Sequence, residues 1–322
     1  MRARALFALA IIAGALSGCG LGPAGLDSSL RPSARPADVS VPVAADVAYN
    51  PSPVSLRLRD QYRRMEADQR TRGLLRTDSG EIDAPFTSRQ LAENFIQIAL
   101  FDEYPGGRIS RVPTPAAAQL RRWERPVEVA LVHGASVAAA ERARQQDQTR
   151  NYLRRLSAVA QHPVSLVPAG QENFTVFVVD EDERRALADT LRLRVPGASA
   201  LAIQSIIDMP RSVSCLVVAF SRAGQFAYTD AVAIIRSEHP PALWRSCLHE
   251  EVAQGLGLSN DSPRARPSIF NDDEEFALLT GHDELLLSML YDARLSPGMT
   301  PAQADPIVRQ IAAEKLGESG PV

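Results

Sequence analysis

Two adjacent carboxylates, Glu250 and Glu251, are the side chains of this sequence with the clearest potential for chemistry. They lie in CLHEEVAQGLGLSND, residues 247–261, where a helical pattern is followed by Gly257, a residue suited to a left-handed exit turn. One carboxylate could act as a general base on water, and its neighbour could help to hold a cation. The stretch therefore raises metal-assisted hydrolysis as a candidate reaction.

The spacing of these residues resembles the pattern H-E-x-x-H-x-x-G-x-x-H of the metzincin zinc peptidases. In that pattern three imidazoles hold zinc, the glutamate activates the bound water, and the glycine turns the chain towards the third histidine. Glu251 matches the catalytic glutamate and Gly257 the glycine, whereas the three histidine positions hold Glu250, Gln254 and Asn260. The scaffold spacing is kept, and every histidine ligand is replaced.

A second register of the same stretch also has to be considered. His249 and Glu250 begin an H-E-x-x-H pattern, but Ala253 fills its fifth place and cannot bind a metal. This register also loses the spacing to the glycine and to a third ligand. Because a single imidazole does not make a zinc site, we interpret His249 as a packing or surface residue.

The substituted positions offer oxygen ligands in place of nitrogen. Such a set suits calcium or magnesium better than zinc, and calcium needs six or more oxygens. The additional oxygens would have to come from Asp261, Asp272 or Asp273. We favour a polar cluster in which Gln254 and Asn260 hydrogen-bond Glu250 and the SIFND loop. We therefore expect no metal or other cofactor, with zinc or calcium as the alternative.

The segments around this stretch resemble metzincins as well. A hairpin with Gly224 at its turn precedes the helix. It resembles a strand of metzincins that turns at a glycine and leads into their edge strand. PSIFND, Pro267–Asp272, lies where metzincins carry a methionine turn, and LLTGHDELLLSMLYD resembles their closing helix. The resemblance implies a zincin-like fold with a cleft beside the edge strand. The cleft residues that it implies are Gly257, Asp261, Phe270 and Asn271.

A more specific resemblance covers residues 85–300. HEEVAQGLGLSNDS, PSIFNDDEEFALLTGHDELLL and MLYDARLSPGM are similar to the domain of unknown function 2927, a family of bacterial lipoproteins. This resemblance concerns the domain as a whole, and a shared fold does not by itself give a function.

The order of the predicted helices and strands that position these residues indicates an α+β domain with a mixed sheet. A strand at 125–132 is followed by a long helical pattern, two further strands, a hairpin, the carboxylate-bearing helix, a loop and a closing helix. We place this zincin-like domain at residues 85–300, followed by a C-terminal helix or tail at 301–322.

Cys215 and Cys247 are the two cysteines beyond the N-terminal region. An exported protein meets an oxidising compartment, where two thiols are more often bridged than free. Two buried, unbridged cysteines remain the alternative. We favour the disulfide, because it would fix the carboxylate-bearing helix to a strand.

The N-terminal segment predicts export and lipid anchoring. Residues 1–18 combine a basic start, an apolar run and small residues before a cysteine, which is typical of a secretory signal. LSGC resembles a bacterial lipobox, which implies that Cys19 is acylated and anchors the protein to membrane lipid. Residue 20 is Gly and not Asp, so we prefer the outer membrane, on its periplasmic face, over the inner one. Residues 19–84 are Pro-, Ala- and Ser-rich and predict a flexible tether, with a short helix near LRLRDQYRRMEADQRTRGLL.

The composition narrows the function. The chain has 322 residues, 45% of them apolar, a net charge of −3 and no polybasic block, so it can build a substantial core and nucleic acid is an unlikely class of partner. We expect a degenerate peptidase-like domain that binds an envelope protein or peptide in its cleft. An active metal-dependent peptidase with Glu251 as its base is the alternative, and an envelope lipoprotein that only packs is a third.

Overall fold

A computed structural model of the chain describes residues 49–80, 83–102, 116–195, 197–271 and 273–318. The predicted signal at 1–18, the predicted acylation site Cys19, residues 20–48 of the predicted tether, and Asp272 lie outside the described residues. Among the described residues, no helix is both long and apolar enough to cross a membrane.

The described strands form a two-stranded sheet and a six-stranded sheet. Their bounds are β1 Phe101–Asp102, β2 Ala116–Ala117, β3 Arg122–Trp123, β4 Val127–His133, β5 Val164–Leu166, β6 Phe174–Val179, β7 Cys215–Ser221 and β8 Ala227–Arg236. The described helices are α1 Pro53–Thr71, α2 Ser88–Ala99, α3 Ala139–Ala160, α4 Glu181–Arg185, α5 Ala188–Arg194, α6 Ala200–Ile207, α7 Pro241–Gly255, α8 Gly281–Leu290 and α9 Pro301–Lys315.

The larger sheet is mixed and mostly parallel, so the predicted α+β class is confirmed. Strands β5, β4, β6 and β8 are parallel neighbours in that order, and β3 pairs in parallel with the start of β8. β7 runs antiparallel to β8, with Val217 opposite Ala233 and Val218 opposite Val232. Within the described part of the chain, β7 pairs only with β8, which makes it an edge strand.

Each face of the larger sheet has its own core, because alternate side chains of a strand point to opposite faces. In β6, Phe174 and Val176 belong to the larger core, and Phe177 and Val179 belong to the smaller one. Helices α2, α3, α7, α8 and α9 contribute to the larger core, and α5 and α6 to the smaller. α7 and α6 therefore lie on opposite faces of the sheet that ends in β7.

The folded unit begins earlier than the expected boundary at residue 85. Leu58 and Tyr62, one helical turn apart on α1, are buried and pack with Leu243 of α7. The Ser55 hydroxyl donates a hydrogen bond of 2.9 Å to the carboxylate of Glu238, just after β8. One compact unit accordingly spans Ala48–Val322, and part of the expected tether belongs to it.

The C-terminal helix also belongs to the same core. Val308 and Ile311 of α9 are fully buried in the larger core, and α9 packs against α2. The expected division at residue 300 is therefore not a boundary between packed units. Thr300 and Gln303 form a capping box that begins this helix, which explains why its start is visible in the sequence.

Candidate functional site

A cleft of about 450 Å³ follows the edge strand β7 and lies between it, α6 and α7. We call it the β7 cleft. Six consecutive residues of β7, from Cys215 to Phe220, line it, so it runs along the strand and does not cross it. The other lining residues are Asp102, Arg121, Gly197, Ser199, Ala202, Tyr228, Glu250, Glu251, Gln254, Ser259 and Asp261.

Helix α7 brings the two predicted carboxylates to this cleft. Glu250 is partly exposed and Glu251 is buried, and both line the wall beside β7. Gln254 lies one helical turn further along the same wall, and its amide donates a hydrogen bond of 3.0 Å to the carboxylate of Asp261. Four residues expected at the site, Glu250, Glu251, Gln254 and Asp261, are therefore brought together.

Asn260, at the position of the third metal ligand in the resemblance, faces helix α2. Its amide donates to the carbonyl of Gln97 at 2.8 Å, and its backbone N–H donates to the carbonyl of Ile98 at 3.1 Å. The side chain is 2% exposed and does not line the cleft. In place of the predicted cluster with Glu250 and the SIFND loop, the Asn260 amide donates to α2 and the Gln254 amide to Asp261.

Gly257 has a positional role and does not line the cleft. Its φ is +127°, a value that side chains other than glycine's rarely allow, and a Cβ there would lie 2.3 Å from the backbone oxygen of Arg121. The turn after α7 therefore needs glycine for its conformation and for this close backbone approach.

Phe270 and Asn271 do not line the cleft. Phe270 is fully buried in the larger core, and the amide of Asn271 donates to the carbonyl of Ala265 at 2.8 Å. Asp283 in the first turn of α8 holds this loop, since it accepts hydrogen bonds from the Ser268 hydroxyl at 2.5 Å and from the backbone N–H of Ile269 at 3.1 Å. The expected cleft residues Gly257, Phe270 and Asn271 are therefore not part of the described cleft lining.

His249 is a packing residue, in agreement with the interpretation of the second register. Its ring stacks on Tyr152 with ring centroids 3.8 Å apart, and its Nδ1 accepts a hydrogen bond from the backbone N–H of Leu279 at 3.1 Å. Burial lowers the pKa of His249 to about 3, so the ring is neutral at physiological pH. The imidazole does not line the cleft.

Cys215 and Cys247 are joined by a disulfide, the pairing favoured above. The bridge connects the first residue of β7 to α7, and Cys215 lines the cleft. The sulfur of Cys215 and carboxylate oxygens of Glu250 and Glu251 lie within 4.8 Å of one another. A disulfide sulfur is not a thiolate, so it adds no metal ligand to the two carboxylates.

The donor set does not fit the zinc that the metzincin resemblance implies. Structural and catalytic zinc sites rely on imidazole nitrogen or thiolate sulfur. The described residues that line the cleft include no histidine and no free thiol. The Gln254 amide donates to Asp261, and the Asn260 amide donates to Gln97. The Oδ1 atom of Asn260 accepts no hydrogen bond from the described residues. We therefore derive no reaction step through a metal at this position.

Sequence reasoning missed several residues of the cleft lining. Asp102 lies in β1 and Arg121 just before β3, and the two form an ion pair. Ser199 caps helix α6 and lines the cleft together with Ala202. The cap and the apolar spacing of Ile203 and Ile206 predict a helix, but no sequence signal places it beside β7.

Residues 88–310 match the model of a protein family that is described as a protein of unknown function (DUF2927). The match covers more than half of the chain, so the protein belongs to this family. The chain matches no curated protein and no solved structure.

Proposed function

We propose that this protein is a cell-envelope lipoprotein with a catalytically degenerate, metzincin-like domain that binds an extended protein segment or peptide along β7. The observation that carries the proposal is the β7 cleft itself, which follows six consecutive residues of an edge strand. An edge strand offers a row of backbone N–H and C=O groups to which a peptide can add as a further strand.

The arrangement around α7 supports the metzincin-like part of the proposal. A hairpin turned at Gly224 leads from the edge strand through β8 into α7, and α7 ends in the glycine turn at Gly257. The loop with Phe270 follows, with Phe270 in the core to which α7 also contributes, and α8 comes after it. These are the segments for which the sequence resembles metzincins, in the same order.

The chemistry of the cleft supports binding over catalysis. Substrate binding by strand addition uses backbone groups and needs no metal. Hydrolysis by Glu251 would need a polarised water, and the residues at the histidine positions do not provide a zinc site for one. Lipid attachment at Cys19 rests on the sequence pattern, and the outer membrane remains the preferred location.

Selective backbone methylation of a peptide tests the proposed binding mode. The probe is an acetylated and amidated peptide of about eight residues with alternating threonine and valine, sufficient to span the cleft. Methylating the amide nitrogens of one alternate set should abolish its binding to the purified full-length protein, and methylating the other set should not. Equal loss of binding with both sets would argue against strand addition, as would no loss with either.

Metal content and peptide cleavage test the alternative peptidase function. We expect no stoichiometric zinc after purification without a histidine tag, and no cleavage of a general peptide library. Bound zinc together with cleavage that is lost in Glu251→Gln would replace the binding function with an enzymatic one.

A further inference from the structure

The disulfide between Cys215 and Cys247 joins two of the elements that line the β7 cleft, and its two cysteines lie in different surroundings. Cys215, the first residue of β7, is partly exposed and lines the cleft. Cys247, in α7, is 3% exposed and belongs to the larger core. A reagent that enters the cleft therefore reaches the bridge more readily at Cys215 than at Cys247.

The imidazole of His239 lies against the buried sulfur. Its Nδ1 is 3.6 Å from the Sγ of Cys247, and its ring packs edge-on against that of Tyr62, with ring centroids 4.3 Å apart. Burial, together with the charge of Arg236, lowers the pKa of His239 to about 3, so the ring is neutral and carries one N–H. A disulfide sulfur has no hydrogen to donate, and Nε2 has no partner among the described residues. We therefore assign the hydrogen to Nδ1, which donates to Cys247.

This hydrogen bond favours the open bridge over the closed one. The sulfur of a disulfide is neutral and accepts weakly, whereas a thiolate is charged, and a hydrogen bond to a charged acceptor is about twice as strong as one between neutral groups. In thiol–disulfide exchange the leaving sulfur gains negative charge, and a thiol with a lower pKa leaves faster. His239 thus stabilises charge that develops on Cys247 when Cys215 is attacked.

We propose that the Cys215–Cys247 bridge is a thiol–disulfide exchange site, which a thiol enters through the β7 cleft and at which His239 holds the leaving sulfur. The entering thiolate forms a bond to the Sγ of Cys215, the bond between the two Sγ atoms breaks, and Cys247 leaves with the electron pair as a thiolate. A second thiol then releases Cys215 from the mixed disulfide. The two entering thiols become a disulfide, and their two protons pass to the reduced cysteines.

This inference goes beyond the proposed function, because the exchange uses the cleft as a route of access and needs no peptide bound along β7. Its consequence for the fold is local. The exchange releases the first residue of β7 from α7, whereas the pairing of β7 with β8 does not depend on the bridge.

The position of the first mixed disulfide tests which sulfur is attacked. The oxidised full-length protein is incubated with glutathione without denaturant, quenched with N-ethylmaleimide in urea, and mapped by peptide mass spectrometry. We expect glutathione on Cys215 and maleimide on Cys247. Glutathione on Cys247, or no mixed disulfide in the folded protein, would overturn the exchange site.

Variants of His239 test the hydrogen bond to the leaving sulfur. His239→Phe keeps a buried ring and removes the donor, so opening of the bridge by dithiothreitol should become about fivefold slower. His239→Gln keeps an N–H donor and should recover part of the rate. His162→Phe, at an imidazole that packs against Tyr291 and not against the bridge, is the matched control and should keep the wild-type rate.

The direction of the change separates this role from a structural one. If His239 only packed, His239→Phe would loosen the fold around the bridge and speed its opening, because local unfolding exposes buried groups. An unchanged or faster rate in His239→Phe would therefore overturn the role of His239 in the exchange. Circular dichroism of each oxidised variant checks that the fold is retained. Loss of exchange would leave peptide binding along β7 standing, and loss of peptide binding would leave the exchange standing.

Discussion

Carboxylates occur in two contrasting settings in this protein, the β7 cleft and a buried charge cluster beyond the carboxyl ends of the parallel strands. In the cluster, Glu181 accepts hydrogen bonds from Arg184 at 2.8 Å and from Arg236 at 2.7 Å, and all three side chains are at most 1% exposed. In the cleft, Glu250 and Glu251 lie close to each other. The cluster brings opposite charges together, whereas the cleft places two carboxylates beside each other.

The cluster also explains how the cleft is held in place. The guanidinium of Arg184 donates to the carbonyl of Ile206 at 2.7 Å, and that of Arg236 donates to the carbonyls of Pro210 and Val213. These carbonyls belong to the end of α6 and to the segment that leads into β7. We infer that charge in the cluster stabilises the fold by fixing the segment between α6 and β7.

Glu181→Gln should break the cluster and give the largest loss of stability. The change leaves Arg184 and Arg236 buried without their countercharge, which costs about 3–5 kcal/mol of unfolding free energy. Urea denaturation at neutral pH measures the loss. Asp189→Asn, which removes a carboxylate from the exposed ion pair with Arg192, is the control and should change stability by less than about 0.5 kcal/mol.

Acid should remove the same contribution from the unmodified protein. Burial alone would raise the pKa of Glu181, but hydrogen bonds from Arg184 and Arg236 lower it to about 2 from its ordinary value of 4.5. A carboxyl with a lowered pKa stabilises the fold fully above 4.5, and this stabilisation is lost as the pH falls towards 2. The stability difference between the wild type and Glu181→Gln should therefore narrow over this range, as measured by urea denaturation at successive pH values. A difference that stays constant would show that Glu181 does not carry the effect.

Removing the disulfide should have the next largest effect. The bridge closes a loop between residues 32 positions apart, and replacing Cys215 and Cys247 with alanine should cost about 2–4 kcal/mol. Urea denaturation without reductant measures the difference. Adding reductant should lower the stability of the wild type by a similar amount and leave the double variant unchanged. An unchanged wild type in reductant, with the bridge shown to be open, would contradict the prediction.

The sequence predicts only part of the β7 cleft and its surroundings. The spacing around Glu250, Gln254 and Gly257 predicts the helix, its glycine turn and the wall that the carboxylates form, because these depend on neighbouring residues. The partner of Asn260 lies in α2, and Arg121 reaches the cleft from a distant part of the chain. Contacts of this kind depend on how helices pack across the sheet, which local periodicity does not encode.

The packing at both ends of the domain depends on contacts of the same kind. The Pro-, Ala- and Ser-rich composition of the segment before residue 85 favours a tether, yet Leu58 and Tyr62 of α1 are buried and pack with Leu243. The sequence predicts a C-terminal helix or tail, and the packing of α9 against α2 is a tertiary contact. Composition describes the average of a segment, and two well-placed apolar side chains can decide whether it folds.

Glu250→Gln should have the smallest effect on stability, and it sharpens the contrast most directly because it is the same chemical change as Glu181→Gln. Glu250 is partly exposed and has a like charge in Glu251 nearby, so we expect a change of less than about 1 kcal/mol in unfolding free energy. The measurement is the same urea denaturation. A loss as large as that of Glu181→Gln would mean that the cleft carboxylates hold the fold together as the cluster does. A small change would show that the Glu250 carboxylate is not needed for folding, because a partly exposed charge adds little to the packing of the core.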